Sequence, residues 1–332
     1  MASLVIPDKQ TEKLLSMSPG EQVEWIKKSM GVKTFIKPRR CWLDTKSKFL
    51  NRTLGSEELG IAYGKSITFA GPFSSGKSLL GYLLCGMAQE DGAQIGIVDI
   101  ENSLDHQHVK HTCGLNCGKP LPNGGYSKIA LFQPEIGVFG GKQKKGMPSP
   151  KAVRLQTAEE LFKQTEHWMI MQRRLRPEGK VCVMVDSTTA IEPEEELLHE
   201  LDEQNMRTGL SLPKFLNRLT KRWTQVALNC NAIIIYIAQL RINPQQMFGN
   251  PEVIPGGNGI LFYPSSINKV RRMKKGLMIQ SGTPVGLMSV ITNMKNKMGG
   301  GSVEGLKCGF KAKFQEYDWK FMSVKKLESE LD

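Results

Sequence analysis

Residues 71–78 read Gly71-Pro72-Phe73-Ser74-Ser75-Gly76-Lys77-Ser78, a phosphate-binding loop of the form G-x-x-x-x-G-K-[ST]. Its chemistry follows from the residue types. A strand that turns through glycines into a helix aims several backbone N–H groups at one point, and the helix N-terminus adds positive partial charge there. The Lys77 ammonium then reaches the β- and γ-phosphates of a nucleoside triphosphate, and the Ser78 hydroxyl ligates Mg²⁺. Further polar groups stand at the ends of apolar runs. Asp186 ends 181–185 and suits accepting a hydrogen bond from Ser78 or from water on Mg²⁺. Asp99-Ile100-Glu101 ends 95–98. Strand alternation points Asp99 and Glu101 the same way, and a carboxylate there can polarise an attacking water. Gln239 ends 233–238, and its amide can donate to an oxygen that hydrolysis removes. Each of these could also be a structural cap. Their shared placement at strand ends, beside a phosphate loop, argues for chemistry.

The elements that position them are legible. Residues 66–70 read as a buried strand, and Leu79, Leu80, Leu83, Leu84 and Met87 follow at helical spacing. Runs 95–99, 128–132, 181–186 and 233–238 read as further strands. Helices are expected over 157–175 and 212–227. Continuous apolar strands between amphipathic helices predict an α/β fold with a mostly parallel central sheet covered on both faces. Its ligands belong beyond the carboxyl ends of the strands. After about 263 the pattern is strands and turns, the antiparallel side of the fold.

Residues 1–50 form a basic leader, with a short helix within 20–30 and an extended positive stretch, 32–40. That stretch can add to a neighbour's sheet edge or be a basic tail. The core is 51–322, followed by a short charged tail, 323–332. Residues 137–151, rich in Gly, Lys and Pro, are expected to be a mobile loop. Residues 241–261 carry too much Pro and Gly to hold regular structure without a partner.

The 332 residues are 40% hydrophobic, enough for a real core, and carry a formal charge of +13. That balance fits polyanionic partners, nucleic acid first, or a merely soluble basic protein. No run of about 18 apolar residues exists to span a membrane, and no apolar segment marks a secretory leader. The 7 scattered cysteines fit reduced thiols and a cytoplasmic location. His106, His108, His111, Cys113 and Cys117 include zinc-ligand types, but their spacing fits no standard pair of knuckles, so ordinary near-site positions are expected.

The phosphate loop resembles the Gly-Pro-Glu-Ser-Ser-Gly-Lys-Thr loop of bacterial RecA recombinases. Asp99-Ile100-Glu101-Asn102-Ser103-Leu104-Asp105 is similar to that family's Asp-Ala-Glu-His-Ala-Leu-Asp segment, and Val185-Asp186-Ser187 resembles its Walker B strand. Most specific is Gln239-Leu240-Arg241 followed by Met247-Phe248-Gly249-Asn250-Pro251-Glu252, Gly256-Gly257-Asn258 and Phe262-Tyr263. This resembles the family's second DNA-binding loop and its exit. The likeness runs in order from about 42 to 315.

The resemblance implies a RecA-like ATPase core with ATP and Mg²⁺ as cofactors. Glu101 is then the catalytic carboxylate, Gln239 the link from the γ-phosphate to the loop at 240–259, and Asp105 an adenine contact. His108 stands where the family has an aromatic that stacks on adenine. Lys295 and Lys297, which by sequence alone read as a solvated β-edge, match lysines that reach ATP on the adjacent filament subunit. The loops at about 192–208 and 240–259 are implied to line a filament axis on single-stranded DNA. Arg207, Arg241, Met247, Phe248, Gly249, Asn250, Gly256, Gly257 and Asn258 are the implied contacts, by charge, close backbone approach and stacking. Lys269, Arg271, Arg272, Lys274 and Lys275 form a cluster suited to a second, duplex-binding surface, or a solvated hairpin.

The implied function is a DNA-dependent ATPase acting as a recombinase. It forms head-to-tail filaments and pairs single-stranded with homologous double-stranded DNA, with a loader or single-strand-binding protein as a possible partner and no membrane. Residues 137–151 are an insertion relative to bacterial RecA, and its separate C-terminal domain is not expected here. Both features suggest a compact, phage-type member. The alternatives are a hexameric helicase or motor on the same core, and a nucleotide-gated DNA-binding mediator with little turnover.

Overall fold

The computed structural model describes residues 41–122, 124–140, 151–197, 211–242, 252–298 and 305–331, with 17, 18, 21, 25 and 28. Contacts divide the chain into two compact units, 1–37 and 38–332. In the first, positions 21, 25 and 28 are helical. The Ser18 backbone and hydroxyl both donate to the Glu21 carboxylate, at 2.7 and 2.8 Å. The expected extended stretch at 32–40 lies outside the described residues.

The second unit opens with β1 (Trp42–Leu43), α1 (Lys48–Leu54) and β2 (Ile61–Ala62), which pairs with β1. Strand β3 (Ser66–Gly71) leads into α2 (Lys77–Glu90), then β4 (Gln94–Asp99), α3 (His106–Cys113) and β5 (Ala130–Phe132). Strands β6 (Ile136–Gly140) and β7 (Lys151–Leu155) pair antiparallel, and α4 (Ala158–Leu175) and β8 (Val181–Asp186) follow. Next come α5 (Glu194–Leu197), α6 (Ser211–Cys230) and β9 (Ala232–Gln239). A two-strand stem, β10 (Arg241–Ile242) with β11 (Glu252–Val253), precedes α7 (Gly259–Phe262). The chain closes through β12 (Ser266–Gln280), β13 (Thr283–Asn296), β14 (Lys307–Lys313), β15 (Asp318–Met322) and α8 (Val324–Glu328).

Nine strands join in the order β15-β14-β13-β12-β3-β9-β8-β4-β5. Pairing is parallel from β12 to β5 and antiparallel from β12 to β15. Side-chain alternation explains why the central strands are apolar throughout. Ile67, Phe69, Cys182, Met184, Ile233, Ile235 and Ile237 pack on the α2 face. Ala70, Val183, Val185, Ile234, Tyr236 and Ala238 pack on the other, against Phe162, Phe215 and Trp223 of α4 and α6. Phe162 meets Phe215 and Trp223 at ring separations of 5.5 and 5.3 Å. A capping box, Thr157 with Glu160, starts α4.

Three local expectations change. The stretch 137–151 is not loop throughout, because β6 and β7 pair in register from Ile136↔Leu155 to Gly140↔Lys151; 141–150 lies outside the described residues. The segment after 322 forms α8, capped by Ser323 and anchored by the fully buried Leu327. The stretch 241–261 is not irregular throughout, because it carries the β10–β11 stem and the start of α7; 243–251 lies outside the described residues.

Candidate functional site

Gly71 ends β3, and the phosphate loop delivers Lys77 as the first residue of α2. Gly76 at the helix cap has φ 87° and makes no side-chain capping bond, so the first-turn N–H groups of α2 lack a side-chain acceptor there. Such a left-handed position favours glycine, and the free donors suit an anion. Lys77 is 7% exposed and its Nζ donates to the Pro72 carbonyl at 2.7 Å. Burial lowers its pKa, against the opposing pull of Asp186 and Glu101. Ser78 Oγ donates to Asp186 Oδ1 at 3.2 Å. Burial raises the Asp186 pKa to about 6, while the Ser78 bond opposes the shift. A hydroxyl beside a buried, poorly compensated carboxylate is a hard-oxygen pair that fits Mg²⁺.

Glu101 is the hub of the hydrolytic side. Its Oε1 accepts from Ser187 Oγ at 2.6 Å and from Gln239 Nε2 at 3.2 Å. The backbones meet there too: Ile100 N donates to Asp186 O at 2.8 Å, and Leu240 N to Gly71 O at 3.0 Å. Asp99 does something else. It is fully buried and accepts from Ser103 N, Leu104 N and Gln133 Nε2, at 3.0, 3.0 and 2.9 Å. It therefore braces the loop that carries Glu101. Alternation does not extend to Glu101 because β4 stops at Asp99. Ser187, the group gripping Glu101, was not singled out by sequence reasoning.

On the other flank lies a cavity of ≈ 490 Å³ bounded by Ser74–Leu79, His108, Phe314 and the β12–β13 hairpin. His108 meets Phe314 edge-on at 5.9 Å, so the ring expected to stack on adenine has an aromatic companion. Phe314, Leu277, Pro284 and Leu287 were not foreseen, since nothing local in the sequence ties the hairpin to the phosphate loop. Asp105 does not line this cavity. It caps α3, accepting from Gln107 N and His108 N at 2.9 and 3.2 Å, and those bonds lower its pKa. It borders a neighbouring cavity of ≈ 450 Å³ that also includes His108. Phe73, at the loop tip, is 77% exposed.

Lys295 and Lys297 do not line the cavity beside Lys77 either. Lys295 Nζ donates to Leu261 O and Phe262 O at 2.9 and 2.8 Å, and burial, then Lys297, bring its pKa down to about 8. Arg241 pairs with Val253 in the loop stem and is exposed. Gly256 and Gly257, at φ 103° and 71°, lie against Leu216 and Pro213 of α6, and Asn258 precedes α7. Arg207, Met247, Phe248, Gly249 and Asn250 lie outside the described residues. The basic cluster divides: Lys269 and Arg271 both pair with Glu252 of the stem, whereas Arg272 borders the cavity. In the His/Cys cluster Cys113 and Cys117 are buried, their thiols pushed up to about 12 and about 11, while His106 leans on Tyr126 at 5.3 Å.

The parallel sheet, the phosphate loop at the end of a central strand and the carboxylates on neighbouring strand ends define an α/β phosphate-loop fold of the RecA type. The RecA N-terminal domain family matches residues 165–303. Protein RecA of Paramagnetospirillum magnetotacticum is 26% identical over 239 residues, covering 72% of this chain and 57% of that protein. Protein RecA of Phytoplasma mali (strain AT) is 26% identical over 240 residues, covering 72% and 59%, and that of Azospirillum lipoferum (strain 4B) 27% over 240, covering 72% and 55%. The chain thus spans less than two thirds of the length of these relatives. It is similar to RecA proteins over these stretches.

Proposed function

We propose that the protein is an ATP-dependent DNA recombinase. It forms a helical filament on single-stranded DNA, pairs it with homologous double-stranded DNA and exchanges strands, hydrolysing ATP in a DNA-stimulated, Mg²⁺-dependent reaction. The observation that carries this reading is the bond from Gln239 Nε2 to Glu101 Oε1, made two residues before the β10–β11 stem. One amide touches the carboxylate suited to activate water and roots the loop whose sequence resembles the RecA DNA loop.

In this reading Lys77 leaves the Pro72 carbonyl for the β- and γ-phosphates, joined by the loop N–H groups. Glu101, held by Ser187, accepts the proton of the attacking water. Ser78, with Asp186 behind it, holds Mg²⁺, whose charge offsets that of the phosphate oxygens. Gln239 exchanges its bond to Glu101 for one to the γ-phosphate and so reports ATP to the loop. Lys295 and Lys297 act in trans on the ATP of the adjacent copy, a head-to-tail contact that builds an open filament. Arg207, Arg241, Met247, Phe248, Gly249, Asn250, Gly256, Gly257 and Asn258 contact DNA. A formal charge of +13 supports a polyanionic partner. A loader or single-strand-binding protein is a natural further partner, and the cytoplasm the natural site of action. No helix among the described residues is long and apolar enough to cross a membrane.

Joint-molecule formation with homologous and heterologous duplex tests the proposal. Products from the homologous duplex alone are expected, and equal yields from both overturn it. Electron microscopy with DNA is expected to show helical filaments, whereas closed rings favour a hexameric motor.

A further inference from the structure

The basic run on β12 contains one arginine whose surroundings set it apart. Lys269 and Arg271 are engaged by Glu252. Arg272 makes no hydrogen bond or ion pair with any described residue, yet it borders the cavity with Ser74–Leu79. Its orientation is set by a bulge. Arg272 pairs with Ser289 and Leu277 with Leu287, so 273–276 all lie opposite Met288. In an unbroken strand, residues five apart face opposite ways. Here their partners are two apart, so Arg272 and Leu277 share a face. Gly276 permits the bulge, since a Cβ there would lie 2.3 Å from the Met288 carbonyl oxygen.

That shared face looks onto the phosphate loop. Ser289 Oγ donates to Ser75 O at 2.8 Å, and Leu287 Cδ1 lies 3.1 Å from where a Cβ on Gly76 would stand. The sheet order supplies the rest. Strand β3 lies between β12 and β9, so Arg272 approaches the loop from the flank opposite Gln239 and Glu101. The γ-phosphate chemistry occupies the β9 flank. An unpaired guanidinium on the other flank, lining the same cavity as the phosphate loop, suits the α- and β-phosphates that ATP and ADP share.

The geometry points to Arg272 as a nucleotide-positioning residue that acts in cis, gripping the diphosphate common to ATP and ADP rather than duplex DNA. The inference rests on the nucleotide-binding part of the proposed function and not on strand exchange. Calorimetric titration of the dilute full-length protein, without DNA, tests it with ATP, ADP and, by competition, adenosine. Losing one charge-assisted contact in Arg272→Gln is expected to weaken ATP and ADP alike by about tenfold. Adenosine stays within about twofold of wild type, because it lacks the phosphates Arg272 contacts. Arg272→Lys recovers part of the loss, as a point charge without the planar fork. Unchanged ADP affinity in Arg272→Gln, or an equal loss for adenosine, overturns the assignment while leaving the nucleotide site intact. A wild-type protein that binds neither ATP nor ADP removes both this inference and the hydrolytic reading.

Discussion

The two flanks of the phosphate loop are built on different principles. On the β9–β8–β4 flank, polar side chains stand at or just beyond the carboxyl ends of buried parallel strands and are already bonded to one another through Glu101, Ser187 and Gln239. On the β12–β13 flank the wall is an antiparallel hairpin, mostly apolar, with Arg272 unpaired among the described residues and a bulge setting its direction. The first flank suits chemistry at the γ-phosphate. On the proposed reading, the second would hold the part of the nucleotide that survives hydrolysis. Reaction and retention would then fall on opposite sides of one strand, β3.

The largest expected effect breaks the first flank alone. Glu101→Gln should lower DNA-stimulated ATPase turnover by roughly a hundredfold or more, the scale of general-base catalysis, with ADP affinity changed little. Full activity in a steady-state assay would reject the assignment.

Next comes Asp186, whose raised pKa carries a definite sign. Its folded value of about 6 stands above the ordinary aspartate value of 3.8. The folded state therefore holds the proton more tightly, and this group's contribution to stability is present below the unfolded pKa and lost as pH rises from about 4 to about 6. Asp186→Asn should stabilise the nucleotide-free protein by on the order of 2 kcal/mol at pH 7 and barely at pH 4, while weakening Mg²⁺-dependent nucleotide binding. Thermal melts at both pH values check this, and equal shifts at both would contradict it.

Phe314→Ala sharpens the second flank. Losing an aromatic face should weaken adenosine, ADP and ATP together by roughly five- to tenfold, the lower range of base stacking. Arg272→Gln should spare adenosine, so the pair separates base from phosphate on one wall. The smallest effect is expected from Ser187→Ala, which removes the orienting bond on Glu101. Turnover should fall by about threefold with ADP affinity unchanged. Combined with Glu101→Gln, it should add little further loss, as expected for groups acting as a unit.

The same contrast explains what was legible in the sequence. Asp186 and Gln239 were readable because a buried parallel strand is a continuous apolar run and its last residue must face the ligand side. Glu101 was read together with Asp99, a companion from which the structure separates it. The alternation that linked it to Asp99 ends with β4, and Asn102 turns with φ 51°. The hairpin wall was not legible. A four-residue bulge breaks the two-residue period, so Arg272 and Leu277 read as opposite faces and Lys269 to Lys275 read as one basic patch. Phe314 reaches His108 across about 200 residues of chain, a distance at which no local pattern carries information.

Strands β3 and β9 stay in register through Gly71↔Gln239, and Leu240 N closes the ladder on Gly71 O. The phosphate loop and the root of the β10–β11 stem thus hang from one unbroken backbone joint. Sliding one past the other would tear a ladder between buried strands. On the proposed role of Gln239, a nucleotide signal would leave by its side chain, as a rotamer change of a few ångströms. Such a message is small in amplitude and quick, for partly exposed side chains reorient in picoseconds to nanoseconds.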